Sequence, residues 1–263
     1  MKLTSKNYYS AAANNAYMSV SQYKVFCRCE AKAMAELTGE YERPKSPALL
    51  LGSFVDEMLT GTKKSQQKFI DENYSELFKK NGDPYADTAK ALEAIERVKR
   101  QPLMMKLLGG KHQKIMAGEI AGTPFKIKMD SYKEGEFIAD LKYMKSLRSP
   151  NMFEPMVKYW GYVEQGAAYQ DIVYQNTGKR LPFYLVIATK ENPVHLEVCE
   201  IKQYDLDEAM ENIVKRIGRF SAIKSGDAQP ERCEEYDCDY CTETRIITEA
   251  IDSNFLGLPR KQV

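Results

Sequence analysis

Apolar positions recur at helical spacing through residues 19–38, where Val25, Cys29, Met34 and Leu37 line one stripe. Ser19 or Ser21 stands where an N-cap belongs and Gly39 where a helix stops, so the pattern predicts one helix there. A loop with Pro44 and Pro47 follows. "LLLGSFVDEMLTG" predicts a second helix over 49–61 that ends at Gly61, and "YADTAKALEAIERVKRQPLMMKLL" a third over 85–108, interrupted near Pro102. From Gln113 the period changes from helical to two. "KIMAGEIAGTPFKIKMD" alternates with a turn at "AGTP", and "EFIADLKYM" alternates again after "KEGE", which is the pattern of a three-stranded antiparallel meander. A helix from about Tyr159 to Gln175, two strands in "LPFYLVIATK" and "VHLEVCEI" around Pro193, and an amphipathic helix over 205–225 complete the order. Helices, meander, helix, strands, helix make an α/β (α+β) layered fold in which the N-terminal helices cover one side of a sheet. The expectation is a single domain over 1–263, with a helical part at 19–108, a core at 113–225 and a cysteine-bearing segment and tail at 226–263; "GLPRKQV" reads as a loose tail.

A chain of 263 residues with 43% hydrophobic content can bury roughly 70–75% of the surface its unfolded form exposes. No apolar run reaches the ~18 residues of a membrane span, and the N-terminus lacks the apolar core of a signal peptide, so a cytoplasmic protein without membrane contact is expected. Lys plus Arg, 38, nearly cancels Asp plus Glu, 37, so any contact with nucleic acid must come from a local patch. No Ser-His-Asp or Walker pattern accompanies the two histidines, His112 and His195.

The hairpin at 125–145 carries the candidate chemistry. With the turn centred on Gly135, Asp130 lies opposite Asp140, and alternation puts Lys126, Lys128, Asp130, Asp140 and Lys142 on one face. Phe125, Ile127, Met129, Phe137, Ala139 and Leu141 take the other, and a tight turn at Gly122 brings Glu119 onto the charged face near Lys126. Two carboxylates ~4 Å apart repel by about 4 kcal/mol at an effective dielectric of 20, a cost that a divalent cation relieves. Oxygen ligands favour Mg²⁺ or Mn²⁺, which suits hydrolysis of a phosphodiester by in-line attack of water, with Lys142 placed to stabilise the phosphate. A solvated face of alternating ion pairs is the plainer reading of the same residues.

Two further constellations stand out. "EQGAAYQDIVY" holds Gln165 with Tyr169 and Gln170 with Tyr174, each pair on one helix face, and the small residues of "QGAAY" fit close packing. Tyr174 reads as a core residue. Cys233, Cys238 and Cys241 at short spacings read as a zinc or iron–sulfur site whose fourth ligand comes from Cys27 or Cys29 far upstream. Cys199, within a strand, reads as a buried packing thiol.

The order of "SQYKVFCRCEAKAMAEL", "LLLGSFVDEML", "GEIAGTPFKIKMDSYKEGEFIADLK", "WGYVEQGAAYQDIVYQNTGKRLPFYLVIATKE" and "PERCEEYDCDYC" resembles the PD-(D/E)XK nuclease superfamily, and more narrowly its RecB-like and RecE-like phage exonucleases. The resemblance covers most of the chain. It implies a restriction-endonuclease-like core with a central mixed sheet, Asp130 and Asp140 as metal ligands, Lys142 as the catalytic lysine, and Gln165 and Tyr169 as further catalytic residues that help hold DNA or the metal site. Asp56 in "GSFVD" takes the place where many relatives carry a metal-binding histidine, and Glu119 resembles an acid often found in this branch, so both join Asp130 and Asp140 as candidate metal ligands. By the same resemblance Cys29, Cys233, Cys238 and Cys241 would close a four-iron four-sulfur (4Fe–4S) clasp, with Zn²⁺ as the alternative occupant.

The function implied is a metal-dependent DNA exonuclease that hydrolyses phosphodiester bonds at duplex ends in phage-type homologous recombination inside a bacterial host cell. Its product would serve a single-strand annealing protein, and homo-oligomeric relatives leave room for an oligomer here. Lys126, Lys128, Lys145, Arg148 and the basic run from Arg97 to Lys114 are candidate phosphate contacts. A CRISPR-adaptation-like single-strand nuclease and a non-catalytic DNA-binding recombination partner are the competing readings.

Overall fold

The computed structural model describes residues 1–255 other than 45, 234, 236, 237 and 249; the predicted loose tail lies outside the described residues. The chain forms two compact units, one of Met1–Pro44, Glu119–Phe125 and Ile213–Val263, the other of Lys45–Gly118 and Lys126–Asn212. Among the described residues no helix is long and apolar enough to cross a membrane.

Helices α1 (Ala11–Ala16), α2 (Val20–Arg28) and α3 (Glu30–Thr38) open the first unit. The single helix expected over 19–38 is two. Ser19 caps α2 and Gly39, at φ 81°, ends α3 as expected, but Cys29 between them is extended and its Sγ accepts the Lys32 N–H as the N-cap of α3. Periodicity survives such a break because one residue is spent on it, and the thiol that caps α3 is oriented by partners distant in sequence.

The second unit contributes α4 (Pro47–Thr60), α5 (Lys63–Glu72), α6 (Tyr74–Leu77), α7 (Ala86–Lys99) and α8 (Pro102–Leu108), followed by the strands. β1 (Lys111–Ile120), β2 (Thr123–Lys133), β3 (Phe137–Met144), β4 (Phe183–Thr189) and β5 (Leu196–Ile201) form one sheet in the order β1-β2-β3-β4-β5. Ala121 and Gly122 turn the chain between β1 and β2 with positive φ at both, the conformation a type I′ two-residue hairpin turn requires. β2 and β3 are antiparallel, with Ser131 opposite Ala139, the register expected from a turn at Gly135. β3 and β4 are parallel and β4 and β5 antiparallel, so the sheet is mixed. The β3–β4 crossover carries α9 (Met156–Tyr159) and α10 (Tyr162–Thr177), and α11 (Gln203–Ser225) follows β5.

One face of this sheet buries Phe137, Ala139, Leu141, Val186 and Ala188 against Phe54 of α4 and Ile95 and Val98 of α7. Phe54 is fully buried, and its replacement by Ala would cost about 3–5 kcal/mol. The opposite face, which alternation marks as charged, is covered by α10. A Cβ on Gly166 would lie 2.6 Å from the Phe183 ring and 2.8 Å from Leu206, so only glycine lets α10 seat this closely on β4. Close seating brings the neighbouring Gln165 down onto β3.

Candidate active site

The hairpin register runs on to set Asp130 of β2 beside Asp140 of β3. Asp130 Oδ2 accepts the Leu141 backbone N–H at 3.0 Å, which fixes that carboxylate across the strand pair. Asp140 is 2% exposed and its Oδ1 accepts the Gln165 amide at 2.6 Å. Its Oδ2 accepts from the Lys142 ammonium at 2.5 Å, a charge-assisted contact. Lys142 Nζ also stands 4.9 Å from the centre of the Tyr162 ring, an aromatic face that favours the cation.

Asp56 joins this group from α4, one turn before the helix ends. Thr60 donates to its Oδ1 at 3.1 Å, and Gln113 of β1 donates to its Oδ2 at 2.9 Å. The same Gln113 nitrogen reaches Asp130 Oδ1 at 3.4 Å, so one amide joins two carboxylates. Gln113 holds φ at 50°, a left-handed conformation that costs a non-glycine residue of order 1 kcal/mol or more and persists where surrounding contacts enforce it. His112, the residue before it, places Nδ1 3.3 Å from the Asp130 carbonyl oxygen.

The carboxylates pay for this proximity. Burial, with Asp140 and Asp56 adding like charge, holds the Asp130 carboxyl well above the ordinary carboxylate range, against the Lys142 ammonium and the Leu141 N–H. Asp56 is raised as well, first by burial and then by Asp140 and Glu57, while Thr60 and His112 oppose the rise. For Lys142 burial works against the charge, but Asp140 and Asp130 outweigh it and hold the ammonium protonated. Asp56, Asp130 and Asp140 bring together carboxylates whose like charge a hard divalent cation such as Mg²⁺ or Mn²⁺ would relieve.

The remaining predicted residues divide. Tyr169 donates to the Lys128 carbonyl at 2.9 Å and ties α10 to β2, so Gln165 and Tyr169 both face the hairpin. Gln170 instead bonds the Leu181 carbonyl at 2.9 Å, a structural role. Tyr174 is 47% exposed under the Arg180 guanidinium, which corrects the expectation of a core residue. Lys126 is 1% exposed and burial pushes its ammonium down to about 8, which removes it from the surface that phosphate can reach. Lys128 is half-buried, whereas Lys145 and Arg148 are exposed beyond β3. In the basic run, Arg97 bonds the Val194 carbonyl and Lys99 and Lys111 pair with Glu96 and Glu134. Glu119 is an exposed residue of β1 and belongs to the first compact unit. Gln113, His112, Thr60 and Tyr162 were not singled out from the sequence; a polar pair opening a strand is too common a pattern to mark them.

In the first unit, Cys29, Cys233, Cys238 and Cys241 are all buried, and their sulfurs lie within 4.8 Å of one another, a group able to hold a metal. Cys27 is half-buried and outside the group, so of the two upstream candidates Cys29 supplies the fourth thiol. Cys199 is half-buried on β5, not a core thiol.

A search of curated proteins finds no match to the chain. Among solved structures, a crystal structure from Eubacterium rectale named "Putative exonuclease" is 39% identical, covers 98% of this chain and 99% of its own, and superposes with a TM-score of 0.89. Residues 19–244 match the family described as a PDDEXK-like domain of unknown function (DUF3799). With Asp130, Asp140 and Lys142 gathered on the hairpin of a mixed sheet, the chain belongs to that PDDEXK-like family.

Proposed function

We propose that the protein is a divalent-metal-dependent deoxyribonuclease that hydrolyses phosphodiester bonds from duplex DNA ends. The observation that carries this reading is the convergence of Asp56, Asp130 and Asp140 on one buried polar site with Lys142 paired to Asp140. Membership of the PDDEXK-like family and the "Putative exonuclease" relative support it.

Asp130 and Asp140, with Asp56 beside them, would hold Mg²⁺ or Mn²⁺. When bound, that cation supplies Lewis acidity toward a phosphate oxygen and makes water a better nucleophile. The chain's own residues do the rest. Gln165 and the Leu141 N–H fix the orientations of Asp140 and Asp130, so neither carboxylate must reorganise when substrate arrives. Lys142 keeps its proton and presents positive charge to the phosphate as negative charge builds on it. Lys145 and Arg148, exposed beyond β3, would contact backbone phosphates on this reading, which would make binding salt-dependent. The reading extends to phage-type recombination in the bacterial cytoplasm, where the resected strand passes to a single-strand annealing protein.

The test compares linear duplex DNA, labelled separately at each end, with covalently closed circles of the same sequence, in Mg²⁺, Mn²⁺ or EDTA. Metal-dependent release of end label with circles left intact is expected. Nicking of circles at the same rate would replace end-directed action with internal cleavage, and metal-independent cleavage would remove the carboxylate site from the reaction.

A further inference from the structure

The four-thiol group admits a sharper statement than that it can hold metal. Cys29 Sγ lies 3.6 Å from Cys241 Sγ, and Cys233 Sγ 3.7 Å from Cys241 Sγ. These separations are far beyond the ~2.05 Å of a disulfide. Four thiolates arranged tetrahedrally around one zinc at about 2.3 Å stand about 3.8 Å apart, close to both observed spacings. A 4Fe–4S cube seats each thiolate on its own iron and carries four sulfides between the irons, so its ring of cysteine sulfurs must be wider than that of a single ion. Even a regular tetrahedron with every edge at the 4.8 Å limit has its centre about 2.9 Å from each sulfur, room for one ion and not for eight atoms.

Contacts around the group bury the thiols and orient Cys29. All four cysteines are 2–8% exposed. The extended residue between α2 and α3 aims Cys29 inward, and the Lys32 N–H bonds its sulfur at 3.4 Å, the kind of donor that steadies a thiolate ligand. The C-terminal segment is fastened alongside: Arg219 makes two bonds of 2.7 Å to Glu30 and one of 2.9 Å to Glu231, and Ala31 N–H bonds the Glu231 carbonyl at 3.0 Å.

We infer that Cys29, Cys233, Cys238 and Cys241 bind one tetrahedral divalent ion, zinc, in place of the iron–sulfur cube that the resemblance implies. The ion staples residues 212 positions apart and carries no electrons; each thiol that becomes a ligand gives its proton to solvent. The inference is independent of the nuclease reading.

The test is elemental analysis of the full chain purified without oxygen, so that a labile cluster would survive, followed by replacement of the native metal with Co²⁺. The expected result is one zinc per chain, a colourless protein with no iron or labile sulfide, and the visible bands of a tetrahedral tetrathiolate when cobalt enters. Cys29→Ser should lose the metal and melt at lower temperature, while Cys27→Ser should keep both metal and melting temperature. Iron and sulfide near four each per chain, with brown absorbance, would overturn the inference. So would a chain that retains no zinc and takes up no cobalt.

Discussion

The side-chain amide of Gln165 donates to Asp140 Oδ1 at 2.6 Å, with both residues less than a tenth exposed. This bond leaves Oδ2 of the same carboxylate to the Lys142 ammonium and, on the proposed reading, to the metal. Gln165→Ala should therefore lower cleavage and Mn²⁺ affinity by roughly 10–100-fold, as losses of groups that orient metal ligands do. Calorimetric titration of Mn²⁺ beside single-turnover cleavage checks it. Equal affinity in both proteins would reduce Gln165 to a packing residue.

Gly166 makes that bond reachable. Gly166→Ala gains up to about 1 kcal/mol of helix propensity but drives a methyl into Phe183 and Leu206, at a typical overpacking cost of about 1–3 kcal/mol. Net destabilisation by urea melting, together with slower cleavage, is expected; a more stable and fully active variant would mean that α10 does not need its close seat.

Gln113 combines a left-handed backbone with two hydrogen bonds to carboxylates. Both Gln113→Gly and Gln113→Ala lose the bonds, but only glycine sheds the backbone strain. Glycine should thus be the more stable of the two by about 1 kcal/mol. Thermal melting of the pair decides, and the reverse order would place the strain elsewhere.

Asp130 and Asp56 have folded pKa values above their unfolded ones. Such a group binds its proton more tightly in the folded chain. Its contribution is full below the unfolded value and is lost as pH rises through the folded value. The metal-free protein should lose stability across that window, and Asp130→Asn should flatten the loss while abolishing cleavage. Divalent cation competes with the proton, so the rise in melting temperature on adding Mg²⁺ should be larger at mildly alkaline than at mildly acidic pH. A Mg²⁺ effect that does not change with pH would mean the cation binds elsewhere.

Much of this site was legible along the chain because period-2 alternation fixes faces and a turn at Gly135 fixes register, which together placed Asp130 beside Asp140. The small residues around Gly166 announced close packing because short side chains let a helix approach its neighbours. Alternation does not say what covers a face, however. Lys126 shares the face of Asp130 yet is buried, a fate decided by elements distant in sequence. The break at Cys29 was hidden because its cause, a thiol drawn toward Cys241, acts across 212 positions. Gln113 was missed because left-handed backbone at a non-glycine residue leaves no mark in residue type.

The central claim is that Asp140 and its hairpin form a phosphodiester-cleaving site. The most direct measurement is end-label release from linear duplex DNA by the wild type and by Asp140→Asn, which keeps the shape of the side chain, with DNA affinity measured in parallel. Metal-dependent release by the wild type, and loss of about three or more orders of magnitude in the variant with DNA binding retained, is the predicted result. Cleavage by Asp140→Asn at the wild-type rate, or DNA binding by both proteins with no cleavage by either, would contradict it.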